Sequence, residues 1–316
     1  MTFRRVLQLL GLLTGFAVGI ITATAVFFTR RMVNPPRQAL WTSPAEMGLP
    51  YENVQFPARD SVRLSGWFLP GDKEPQRNGA TIVLAHDWMW NRLGDAAADL
   101  LADLSGTMPV ELLRLARAFH FEGYHVLMYD QRNHGESAGS PPVTFGLTES
   151  SDLLGALAFL VDRPEVDPDR IGVIGFSMGA NAILYALPQT NQIRAAIAVQ
   201  PTTVSIFAER YALDLLGPLG YLVRLVIENA YAAVGDMRLT ALQPAFAVTG
   251  AEPTPVLFVQ CKEDPWGSLE DARRLASATP GGEGPLFVDG SHRTHGYQYM
   301  IENPKVAVTF FEEHLV

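Results

Sequence analysis

The 316-residue sequence contains a single cysteine, Cys261. One thiol cannot close an internal disulfide, so no covalent staple contributes to the fold, and cysteine usage says little about redox compartment. Positive charge is also short: 24 Lys and Arg stand against 33 Asp and Glu, a formal net charge of −9. That balance argues against nucleic acid as a partner, because phosphate binding needs clustered Lys and Arg. Repeats and low-complexity tracts are absent. A chain of this length makes one large α/β domain or two small ones.

A further absence is local. Val6 to Phe28 carries no charge over 23 residues, with Arg4 and Arg5 before it and Arg30 and Arg31 after it. As a helix rising about 1.5 Å per residue it spans a hydrocarbon core of about 30 Å. Gly11, Gly15 and Gly19 recur at every fourth position, a spacing that allows close helix approach but is also common in membrane helices generally. The competing reading is a cleaved signal peptide, since Ala23-Thr24-Ala25 has the small-x-small form of a cleavage site. The apolar run exceeds the usual signal core of about 7–15 residues, which favours a retained single-pass anchor over residues 1–31. Basic residues flank both ends, so the positive-inside rule has little to act on. The side stays open, with the extracytoplasmic one preferred. Residues 32–49, with "NPPRQALWTSP", read as a tether held extended by its prolines.

From residue 50 the pattern alternates. "VQFPA" and "VRLSGWFL" have strand composition and hairpin spacing. "TIVLAH", "HVLMYD", "IGVIGF", "AAIAVQ", "PVLFVQ" and "PLFVD" follow as apolar strands, separated by helical patterns around 110–124, 148–162 and 178–187 and closed by "PKVAVTFFEEHL". Continuous apolar strands are buried on both faces, and their alternation with helices implies a mostly parallel sheet covered on both sides. Reactive residues in such sheets sit at the carboxyl ends of strands.

"GFSMG", residues 175–179, lies where the fifth strand ends and a helix begins. Glycines two before and two after Ser177 relieve crowding in a sharp turn that would expose its hydroxyl, as a nucleophile elbow requires. The Met178 N–H and the helix N-terminus then face the oxygen on which negative charge develops.

With that element the sequence resembles the α/β-hydrolase superfamily, and most closely its bacterial lysophospholipase-like and dipeptidyl-peptidase-like serine hydrolases. The resemblance covers residues 50–316. It is carried by "LAHDW", "YDQRNHGESAG", "GFSMG", "CKEDPW" and a histidine-bearing stretch after the eighth strand, in the family's order. It implies an eight-stranded sheet, a helical cap at about 202–250, and a Ser-acid-His triad needing no cofactor or metal.

A serine hydroxyl needs a base, and that base needs a carboxylate to orient it. The family pattern places the acid at Asp264 rather than Glu263. The alternative position after the sixth strand reads Gln200-Pro201, without a carboxylate. The base is expected at His295, by family spacing to the final helix, with His292 as the alternative. The H-x-x-H pair lacks the Glu and third ligand of a zinc site. Resemblance puts the second oxyanion donor at the Trp88 N–H, with Asp87 departing from the usual glycine. His86, Asp130, Arg132 and His134 are expected to organise loops. Residues 91–109 lengthen the loop after the oxyanion segment and could hold a short helix. The expected function is a membrane-anchored serine hydrolase cleaving carboxylic esters, with lipid-like acyl esters in view. A peptidase of the same fold and a noncatalytic binding protein are the alternatives.

Overall fold

The computed structural model describes residues 3–72, 79–98 and 100–315. The first two residues of the expected anchor segment, Asp99 in the lengthened loop and Val316 lie outside the described residues. Eight strands form the main sheet: β1 Glu52–Pro57, β2 Arg63–Leu69, β3 Thr81–Ala85, β4 His125–Asp130, β5 Ile171–Phe176, β6 Ala195–Val199, β7 Val256–Cys261 and β8 Gly282–Val288. Their spatial order is β1-β2-β4-β3-β5-β6-β7-β8. β2 pairs antiparallel with both β1 and β4, and every other pairing is parallel. This is the α/β-hydrolase fold.

The helices are α1 Phe3–Val33, α2 Leu100–Ser105, α3 Leu112–Phe121, α4 Glu149–Val161, α5 Met178–Ala186, α6 Val204–Leu216, α7 Gly220–Gly235, α8 Pro244–Ala247, α9 Leu269–Ala278, α10 Arg293–Glu302 and α11 Pro304–His314. Alternation along β5 shows how the layers form. Ile174 and Phe176 join a core with α3, α10 and α11, whereas Ile171 and Val173 join one with α4, α5 and α9. Side chains two apart share a face, so each central strand feeds both layers. The helical pattern at 110–124 starts later than its apolar run suggests, because Val110 and Glu111 pair with Gly94 and Asp95 in a short ribbon.

The cap is the helical pair α6–α7, and α1 docks on it. Ala25, Phe28, Met32 and Val33 are buried with Tyr211, Val223, Ile227 and Tyr231 in a third apolar cluster. Residues 11–20 of α1 are exposed. The segment Gly11–Val33 has a mean hydropathy of 2.0 and is long and apolar enough to cross a membrane.

Candidate active site

Ser177 occupies the turn between β5 and α5 with φ 47° and ψ −100°. A non-glycine residue in that region is strained, and such strain persists only where the surroundings over-determine it. Here they do. The Ser177 N–H donates to the Val199 carbonyl at 2.8 Å, and its carbonyl accepts from the Asn181 N–H at 2.9 Å. Both flanking glycines are wedged: a Cβ at Gly175 would strike the Gly179–Ala180 backbone, and one at Gly179 the Ala85 carbonyl.

Asp264 lies in the turn after β7, buried, with Oδ1 accepting from the Trp266 N–H at 2.9 Å. Its Oδ2 accepts from Gln260 at 3.1 Å and from Arg293 Nη1 at 2.6 Å. Arg293, not a histidine, bridges Asp264 and Ser177: its Nη2 donates to Ser177 Oγ at 3.0 Å. The remaining guanidinium bonds go to Thr202 Oγ1 at 3.1 Å, Tyr297 Oη at 2.6 Å and the Gln200 carbonyl. All five donors of the guanidinium are matched. Burial works against its charge, but Tyr297, Asp264 and Asp87 outweigh that and raise its pKa further. It stays protonated and cannot take a proton from serine.

The structure places both histidines at the start of α10. His292 is the N-cap of α10, with its ring accepting from the Thr294 N–H, and His295 Nδ1 accepts from the His292 N–H at 3.1 Å. H-x-x-H is therefore a reciprocal capping box for α10. His295 packs on Gly290 near Cys261, and His292 stands edge-on to Trp266 at 4.7 Å between ring centres. Burial lowers the His292 pKa. No hydrogen bond links either ring to Ser177 or Asp264 among the described residues.

The expected oxyanion donors do converge, but on a protein group. Asp87 Oδ1 accepts from the Trp88 N–H at 2.6 Å and from the Met178 N–H at 3.2 Å. Its Oδ2 accepts from Tyr297 Oη at 2.8 Å, and Asp87 and Ser177 line one small void. Burial raises the Asp87 pKa, although Arg293, Tyr297, the Trp88 N–H and Ser177 pull it back.

The loop residues hold this frame. His86 Nε2 accepts from the Gln131 N–H at 2.9 Å, so its Nδ1 is the donor to the Asp87 carbonyl at 2.7 Å. Burial keeps His86 neutral, with a pKa lowered to about 4. His134 is likewise lowered to about 3. Asp130 binds Arg92 at 2.6 Å, and Arg132 binds Asp152 and Asp60, each at 2.7 Å.

A cavity of about 410 Å³ opens beside the site, walled by Trp41, Trp88, Trp90, Tyr211 and Trp266, with Asp87 and Arg293 also in its lining. Ser177 instead faces an adjoining void of about 20 Å³ behind Asp87, Trp88 and Phe207. That void holds about one water. Arg293 and Tyr297 carry no signal of a base in the sequence, because neither side chain titrates near neutrality. Asp87 did stand out, as the residue in place of glycine.

Residues 82–308 match the model of the alpha/beta hydrolase family. An uncharacterised protein, YfhR of Escherichia coli O157:H7, is 27% identical over 258 residues, covering 78% of this chain and 77% of that protein. The thiohydrolase aneE of Aspergillus aculeatus is 26% identical over 170 residues, 54% of this chain and 47% of its own. Among solved structures, the Pyrococcus furiosus esterase Pf2001 superposes with a TM-score of 0.66 at 22% identity, covering 90% of this chain and all of that one. Family and neighbours support a hydrolase. The chain belongs to the alpha/beta hydrolase family.

Proposed function

We propose that this chain is a membrane-anchored hydrolase of acyl esters or thioesters in which Ser177 is the nucleophile and Asp87, rather than a histidine, is its base. One observation carries the reading. The Ser177 hydroxyl accepts from a guanidinium that cannot take its proton and shares a small void with Asp87, a carboxylate that can. Burial makes Asp87 more basic than an ordinary carboxylate. Substrate binding brings the Ser177 hydroxyl and Asp87 into hydrogen-bond reach, as catalytic hydrogen bonds commonly form or tighten in the complex.

In the first step the Ser177 proton passes to Asp87 as Oγ bonds to the substrate carbonyl carbon. Neutralising Asp87 weakens its hold on the Trp88 and Met178 N–H groups, and those donors turn to the oxyanion. Arg293 supplies fixed positive charge beside Oγ. Collapse expels the alkoxide or thiolate, which takes the proton back from Asp87 and leaves an acyl-Ser177. Water then repeats the sequence and releases the acid. Asp264 acts through Arg293, holding the guanidinium in place.

The anchor is part of the proposal. Ala25, at the end of the small-x-small site, is fully buried against the cap. Docking of Phe28 and Met32 stabilises that contact by ~1.5–3 kcal/mol each. The apolar cavity beside the site and the thiohydrolase relative favour an acyl substrate.

A noncatalytic binding role is the second reading. It is favoured by the fully engaged Arg293 and by a void at Ser177 too small for an acyl group. A fluorophosphonate probe and a panel of p-nitrophenyl esters separate the two. Labelling at Ser177 with ester turnover is the expected result; a folded chain that neither labels nor turns over any ester would establish the second reading.

A further inference from the structure

The cap carries an apolar surface that neither the site nor the core uses. Residues 215–223, "LLGPLGYLV", form the corner between α6 and α7 and contain no charge. Leu219, Tyr221, Leu222 and, one turn on, Leu225 are each about half exposed. The nearest cation, Arg224, is paired with Glu209 at 3.3 Å.

The direction of this corner follows from contacts at the other end of α7. Tyr231 Oη donates to the Val143 carbonyl at 2.6 Å, and the Val143 N–H donates to the Val33 carbonyl at 3.0 Å. The end of α1 and the Tyr231 level of α7 are therefore neighbours. From Tyr231 back to Gly220, α7 runs about 16 Å alongside α1. The same distance back from Val33 reaches Thr22. The corner thus lies beside Ile21 and Ala25, both in the α1–cap cluster. The charges flanking the apolar run of α1 on its C-terminal side are Arg30 and Arg31, eight residues or so beyond that level, about 12 Å along the helix axis.

We infer that the α6–α7 corner is a second membrane-inserting element, and that its occupant is the acyl region of a lipid bilayer. The reasoning rests on the proposed anchor: if α1 spans with Arg30 and Arg31 at the headgroups, the corner beside Ile21 is carried below them. Its uncharged, leucine-rich surface suits that depth. A bilayer position also identifies the route to the site. A narrow apolar void lined by Phe28, Met32, Trp88, Phe207, Tyr211 and Ile227 joins α1 to the cap. It shares Trp88 and Phe207 with the void at Ser177. Substrates are then membrane-resident acyl amphiphiles that enter along α1.

The test uses the full chain in phosphatidylcholine–phosphatidylglycerol vesicles. A polarity-sensitive fluorophore is placed on Leu222→Cys and, separately, on Asp169→Cys, an exposed position before β5 at the opposite end of the sheet. Cys261 is buried, so the parent chain serves as the unlabelled control. The expected result is blue-shifted emission at 222, quenched several-fold more by nitroxide lipids than at 169 and protected from iodide. Equal iodide quenching at the two positions would overturn the inference, as would protection from both quenchers, which means a protein surface covers the corner. Recovery of the chain away from vesicles would count against the anchor itself. A second variant, Leu222→Asp, should keep turnover of a short soluble ester and lose about tenfold or more on a vesicle-embedded long-chain ester. Equal rates on the embedded ester would overturn the proposed route.

Discussion

Ser177 and Asp264 belong to one part of the site, and Asp87, Arg293 and Tyr297 to another. The first pair sits in turns at the ends of β5 and β7, each of which is paired to a strand on both sides. The second group comes from the loop after β3 and the first turns of α10, where Arg293 and Tyr297 are four residues apart and share a face. Both members of the first pair match the family pattern, and the second group departs from it. The difference teaches that sheet register fixes where a nucleophile and an acid stand, while loop and helix ends are free to change the charge around them. The two departures also balance. Adding Asp87 alone would bury an unpaired charge; Arg293, already bound to Asp264, also compensates Asp87, with Tyr297 between them.

The comparison breaks most sharply at Ser177. Ser177→Ala should lower ester turnover by on the order of a thousandfold or more and abolish fluorophosphonate labelling, with the melting curve unchanged. A folded alanine variant with near-normal turnover would remove the nucleophile assignment.

Arg293 tests the second group. Arg293→Met should destabilise the fold by about 3–5 kcal/mol, because it leaves buried Asp264 and Asp87 without their shared cation. Denaturant titration checks this, and the Asp87→Asn/Arg293→Met pair should recover part of the loss through non-additivity. A loss below about 1 kcal/mol for the single variant would mean that the guanidinium bridge contributes little net stability.

A smaller effect sharpens the account of Asp87. Its pKa is raised in the folded chain, so the folded state holds that proton more tightly than the unfolded one. The stability this contributes is present below the ordinary aspartate value of 3.8 and is lost as pH rises through the folded value. Asp87→Asn should therefore look more favourable relative to the parent at pH 7 than at pH 4 in paired denaturant titrations. The opposite trend would mean that the carboxylate is stabilised in its charged form.

Much of this was legible in the sequence for a plain reason: buried parallel strands must be apolar throughout, and the elbow needs its glycines. The α10 region was not legible. Its two histidines carry the chemistry expected of a base, yet in this turn they satisfy free backbone N–H groups, and the intervening arginine points inward instead. Spacing alone cannot tell a capping histidine from a catalytic one, because a shift of one residue at a helix start changes which side chain enters the site. Asp87 was visible as a departure from glycine, but its occupation of the oxyanion donors depends on the closeness of the Trp88 and Met178 N–H groups, which only the folded loops create.

The central claim is that Asp87, and neither histidine, activates Ser177. The most direct test compares kcat/KM for a short p-nitrophenyl ester in Asp87→Asn and in the double variant His292→Ala/His295→Ala, with melting curves confirming both folds. The account expects Asp87→Asn to lose about a hundredfold or more, in the range of a missing general base. The double variant should stay within about tenfold of the parent, giving up only helix-capping stability of ~1 kcal/mol per cap. A double variant that loses a hundredfold while Asp87→Asn keeps most of its activity would contradict it.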